Sequence, residues 1–169
     1  HSFPTRRSSD LNLAAIFPDD ELQIMGYHRV VRDLNGLEPA DFLERVAAKF
    51  DVAPATRPEP AGPRQFGMYL DGQWYRLSAR PGTFPADHPV KGLDASILQD
   101  NLLAPVLGIA DPRTDQRIDF VGGIRGTREL ERRCRTDMRV AFALHPVGVD
   151  QLMAIADANE IMPPKSTWF

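Results

Sequence analysis

The sequence predicts an α+β fold: a mainly antiparallel sheet with helices packed on one face. Three observations carry that expectation. Asp71-Gly72 stands between two β-rich runs, Gly67–Leu70 and Gln73–Leu77. An Asp-Gly pair readily takes the positive φ angles of a two-residue hairpin turn. Phe42, Leu43, Val46, Ala47 and Phe50 recur at helical spacing behind Pro39, a residue suited to the first helical position. The remaining apolar runs are short and interleaved with turns. They lack the regular strand–helix alternation of a parallel doubly wound sheet.

Taken in order, Leu13–Phe17 reads as a short buried strand, broken by Pro18-Asp19-Asp20. Leu22–Met25 suggests a second strand, which Tyr27–Val31 extends or follows, and Asn35-Gly36 makes a turn. The spacing above predicts an amphipathic helix over residues 39–50. Ala53–Pro63 holds four prolines, which exclude helix interior and central strand, so it reads as a stiff surface loop. The Asp71-Gly72 hairpin should lie within residues 66–78. A second proline-rich loop runs from Pro81 to Pro89. Asp94 is placed to cap the next helix, with Leu93 and Leu98 spaced for a hydrophobic staple and Ile97, Leu98, Leu102 and Leu103 as the apolar stripe. Gly108 is a natural stop. Ile118–Val121 is a strand, residues 128–135 form a highly charged helix, and Val140–Leu144 is a buried strand. Val149, Leu152, Met153 and Ala156 predict a last core-facing helix.

The chain has 169 residues and a formal net charge of −3. That balance gives no bulk attraction to nucleic acid or an anionic membrane. No apolar stretch approaches the roughly 20 residues needed to span a bilayer. The first eleven residues, His1 to Leu11, have no apolar run and read, letter for letter, as one frame of a sequencing-library adapter. They are set aside as a non-native leader, which leaves 12–169 as the natural body. A single cysteine, Cys134, cannot form an internal disulfide, and four scattered histidines show no zinc spacing. The expected setting is reducing and cytoplasmic, with no metal.

Three segments could carry chemistry. Asp111 to Gly123 places Arg113 and Arg117 ahead of an apolar strand and Gly122-Gly123 after it, with Arg125 just beyond. Arginines grip phosphate or carboxylate bidentately. Glycines between a strand and a helix leave N–H groups free for an anion. The segment lacks the fixed spacing of a Walker loop or a dinucleotide fingerprint, and its arginines could equally pair with Asp111, Asp115 and Asp119. Lys165, Ser166 and Thr167 offer a point charge beside two hydroxyls, behind Pro163-Pro164. His28-Arg29 is the third. Neighbours on a strand face opposite ways, so the two cannot readily serve one site.

Several stretches together resemble a known family. They are Ile16-Phe17-Pro18 with Leu22-Gln23-Ile24, Tyr27 to Gly36, Phe66 to Leu70, Leu98 to Ile109, Asp111 to Arg125, and Met162 to Phe169. The family is the bacterial and archaeal domain of unknown function numbered 1015, and the resemblance covers essentially all of 12–169. It implies that the chain is the C-terminal portion of a single larger domain, truncated at both ends. Family members carry an upstream Asp-Gly-His-His-Arg stretch similar to the phosphate-handling motif of ParB-like and sulfiredoxin-like domains, and this chain has no such stretch. Two functions follow from the resemblance. One is a nucleotide- or phosphometabolite-binding protein, with phosphoryl transfer as its reaction and Arg113, Arg117, Lys165, Ser166 and His28-Arg29 completing the pocket. The other is a non-catalytic, nucleotide-responsive regulator or DNA partner, with a basic stripe at Arg128, Arg132, Arg133 and Arg135. The resemblance assigns no cofactor, and direct nucleic-acid binding is not expected of this portion.

Overall fold

The computed structural model describes residues 23–24, 27–85, 87–88, 90–148 and 153. The leader, the strand expected at Leu13–Phe17 and the C-terminal helix and tail lie outside the described residues, apart from a helical Met153. The strands are β1 (Gln23–Ile24), β2 (Tyr27–Val31), β3 (Phe50–Pro54), β4 (Gln65–Leu70), β5 (Gln73–Ala79), β6 (Ile118–Gly122), β7 (Val140–Leu144) and β8 (Val147–Gly148). The helices are α1 (Pro39–Ala47), α2 (Asp94–Leu98), continued by a π-helical turn over Gln99–Leu103, and α3 (Gly126–Thr136). Six strands form one sheet in the order β3-β5-β4-β7-β2-β6, and β1 pairs separately with β8. Every pairing is antiparallel, as the sequence predicts.

The hairpin falls where expected. Asp71 and Gly72 take φ angles of 52° and 79° and join β4 to β5. Strand β7 lies inside the sheet, and all five of its residues are buried. Val140, Phe142 and Leu144 face one core, with α1, α2 and the π turn; Ala141 and Ala143 face the other, with Leu130 of α3. The expected helix layer on one face therefore accounts for α1 and α2, while α3 covers the opposite face. The charged sequence of α3 conceals this role because a small-residue face needs few large apolar partners. Leu130 is its one buried apolar anchor, and the Trp74 indole N–H donates to Glu131 at 2.6 Å.

Three boundaries differ from the sequence reading. Helix α1 stops at Ala47, and Phe50 opens β3 opposite Ala79. Phe50 is fully buried either way, so its helical spacing from Val46 could not reveal the change. Ala53 and Pro54 belong to β3 rather than to the proline loop. This strand lies at the sheet edge, where the missing N–H of proline is tolerated. Asp94 does not cap α2: Leu93 holds the cap position without a side-chain bond. The Asp94 carboxylate instead accepts the Arg64 backbone N–H at 2.8 Å, a donor thirty residues away that competes with the local helix end.

Candidate functional site

Strand β2 lies between β7 and β6, so its alternation sends His28 and Arg29 to opposite faces of a covered sheet. Both are buried, at 7% and 3% exposure. Nη1 of Arg29 donates to the Tyr27 carbonyl at 2.5 Å, and the guanidinium lies 5.1 Å from the centre of the Phe120 ring. Among the described residues no carboxylate pairs with it. Burial lowers its pKa to about 10, which still leaves it cationic at neutral pH. Arg29 lines a cavity of about 400 Å³ together with Ala95, Gln99, Ala110, Asp111, Pro112 and Arg113.

Arg113 stands at the rim of this cavity, gripped by Asp111 through two side-chain bonds of 3.1 and 3.2 Å. Hydrogen bonding to that carboxylate raises the Arg113 pKa and lowers that of Asp111. Arg117 is held by Asp115 at 3.0 Å, by Asp33 at 3.3 Å and by the Gly108 carbonyl at 3.1 Å. It braces the loop before β6 and does not line the Arg29 cavity. Arg125 extends from the 3₁₀ turn Gly123–Arg125 toward Glu129, 4.0 Å away. With Gly122 it lines another cavity, of about 480 Å³, which Asp119, Glu129 and Arg133 also line. The predicted cations thus disperse among the acids around them. Arg29, the most deeply buried of the described ones, keeps no such partner among the described residues. Lys165, Ser166 and Thr167 lie outside the described residues, and so does the composite site expected from them.

His28 occupies the other face. Its Nδ1 accepts the Leu144 backbone N–H at 3.1 Å, across the β2–β7 boundary. Burial, with the charge of Arg29 added, lowers its pKa to about 4. The ring is neutral at pH 7 with its proton on Nε2, so it is no part of a cationic anion grip. It lines a cavity of about 220 Å³ with Glu59, Pro60, Gly123, Gly126, Thr127 and other residues of β7 and its following turn.

Two lining residues escaped the sequence reading. Gln99 opens the π-helical turn, and its Nε2 donates to the Ile109 carbonyl at 2.7 Å, closing the cavity beside Arg29. Glu59 was hidden in the proline-rich loop, although a lone acid between two prolines was the available signal. No group of three or more His, Cys, Asp or Glu side chains among the described residues could hold a metal ion. No helix among them is long and apolar enough to cross a membrane.

No curated protein matches the chain in sequence. Among solved structures it is similar to a free serine kinase in complex with AMP, at 12% identity and a TM-score of 0.47. That alignment covers 86% of this chain and 53% of the kinase. Two mutants of the same enzyme, also with AMP, align at TM-scores of 0.47 and 0.48. The chain spans about half the length of these structures. The family described as "Protein of unknown function (DUF1015)" matches residues 3–96, a span that includes most of the segment set aside as a leader. That is more than half of the sequence, and the chain belongs to this family.

Proposed function

We propose that the cavity beside Arg29 binds the anionic group of a small phosphorylated metabolite or nucleotide, with Arg29 as its anchor. The carrying observation is the Arg29 guanidinium: 3% exposed, cationic, and without a carboxylate partner among the described residues. A buried charge is costly unless it is paired. The Tyr27 carbonyl and the Phe120 ring offset part of that cost. A ligand oxyanion would supply the rest. Arg113 adds a second guanidinium at the rim, already turned toward Asp111. Phosphoryl transfer depends largely on positioning and charge neutralisation, and a fixed buried arginine suits that task. The DNA-partner reading gains no such support. In its basic stripe, Arg132 pairs with Glu129, and Arg133 with Asp119 and Asp137.

Thermal unfolding with inorganic phosphate, pyrophosphate and glycerol phosphate tests this reading on the full chain and on Arg29→Met. The wild type should gain stability with concentration, about 2.7 kcal/mol at a hundredfold excess over the dissociation constant. The variant should gain none. An equal rise in both proteins, or none in the wild type, overturns the assignment.

A further inference from the structure

We propose that the smaller cavity, on the α3 face of the sheet, is a second site: a slot for a flat neutral ring bearing a hydrogen-bond acceptor beside a donor, the edge presented by an aminopyrimidine or aminopurine base. It lies across the sheet from Arg29 and does not depend on the anion site.

Three features of the cavity point to that ligand. The first is a directed donor. The Leu144 N–H occupies Nδ1 of His28 and so fixes the proton on Nε2. No group among the described residues accepts that proton, and the ring is 93% buried, being 7% exposed. Nε2 is therefore left free at the cavity wall, where a ligand acceptor can take its hydrogen bond. The second feature is an exposed acceptor at the cavity mouth. Glu59 lines the same cavity, its Oε2 3.5 Å from the Thr127 hydroxyl. An ionised carboxylate only accepts, so the ligand must donate to it. Its charge also opposes an anion. The segment that carries Glu59 is held at two points. Arg76 donates to the Glu59 carbonyl at 3.4 Å, and the Pro58 carbonyl packs against Gly67 so closely that a Cβ there would lie 2.1 Å away.

The third feature is the shape and lining. Pro60, Pro146 and Ala143 supply flat apolar surface, Leu144 contributes its backbone, and Gly123 and Gly126 add no side chain. About 220 Å³ is below the roughly 300–1,000 Å³ usual for drug-sized ligands. It suits a single base. A ring nitrogen would accept from His28 while the adjacent exocyclic amino group donates to Glu59.

Exchanging donor and acceptor on the ligand tests this directly. Calorimetric titration of the full chain with adenosine and cytidine should show binding. Inosine and uridine, whose edges present the donor and acceptor in the opposite order, should bind roughly tenfold more weakly or worse. The ¹⁵N resonance of His28 Nε2 should move with adenosine. Glu59→Gln can donate as well as accept, so it should narrow the adenosine–inosine ratio toward one. Equal binding of all four nucleosides overturns the proposal. So does no binding by any of them, an unmoved His28 resonance, or full discrimination retained in Glu59→Gln.

Discussion

His28 and Arg29 are adjacent basic residues, buried to nearly the same depth, yet the sheet gives them opposite fates. The alternation of β2 turns one toward α3 and the other toward the α2 side. Desolvation acts on both in the same direction, against the charged form. For an imidazole that begins near 6.5 it is decisive, and His28 becomes a neutral donor. For a guanidinium it is insufficient, and Arg29 stays a cation. One physical cause therefore leaves two chemically different groups, a neutral N–H donor and a cation. What separates them is the intrinsic basicity of the side chain, not the degree of burial.

The largest test of that difference is the acid limb of stability. The His28 pKa is about 4 folded and 6.5 in its ordinary state, so the unfolded chain takes up the proton first. The contribution of His28 is complete above pH 6.5 and is lost as pH falls toward 4. The loss is about 3 kcal/mol at 1.36 kcal/mol per unit. His28→Gln keeps an acceptor for the Leu144 N–H but does not titrate. Relative to wild type it should gain about 3 kcal/mol between pH 7 and pH 4 in denaturant unfolding. Parallel pH curves would mean that His28 is protonated where it lies.

Asp94 sets a limb of opposite sign. Burial raises its pKa from 3.8 to about 6, against the lowering effect of the Arg64 N–H and charge. Its contribution is complete below pH 3.8 and lost as pH rises through 6. Asp94→Asn should therefore gain about 2–3 kcal/mol on wild type between pH 4 and pH 7. The two variants diverge across the same pH window, and double-variant unfolding should show the two shifts adding, since the groups lie on different elements. A difference of one sign in both variants would break the contrast.

Gly67→Ala tests the packing behind the His28 face. The new methyl would meet the Pro58 carbonyl at 2.1 Å, and backbone must move to admit it. The expected cost is about 2 kcal/mol in chemical unfolding. An unchanged midpoint would show the proline segment free to lift away, and Glu59 with it.

How far these features were legible follows from the range of the interactions that make them. The Asp71-Gly72 turn is a dipeptide property, and it was readable to the residue. The extended β2, β6 and β7 runs were readable as short apolar segments. Phe50 was misplaced because a core position looks the same at helical and strand spacing. β3 was missed because proline marks a loop unless the strand is known to lie at an edge. Among the site residues, the split of His28 from Arg29 followed from strand alternation alone. The dispersal of Arg113, Arg117 and Arg125 did not, since it depends on which nearby acid each one meets. Asp33 is far from Arg117 in sequence and reaches it only through the fold.

Arg29→Met should act through ligand more than through stability. Exchanging a buried cation that has no carboxylate partner among the described residues for an apolar chain of similar length is often neutral or favourable, so a gain of about 1 kcal/mol is expected without ligand. The phosphate response should disappear at the same time. A large loss of stability would instead mean that Arg29 is a structural keystone already satisfied by the protein.

The smallest effect should come from Arg113→Ala, which sharpens the contrast between a cation that is buried and one that is merely close. Both arginines line the same cavity, but the Arg113 side chain is 68% exposed and already bound to Asp111. Exposed pairs add little because water screens the attraction and ordering two side chains opposes it. Thermal unfolding of Arg113→Ala should match wild type in the absence of ligand. With phosphate present, the stabilisation should persist with a modest loss of affinity, because the anchoring charge at Arg29 is untouched and the freed Asp111 adds repulsion at the rim. Loss of the phosphate response equal to that of Arg29→Met would move the anchor to the rim. The buried guanidinium would then be a packing element, and the anion site would belong to the loop before β6.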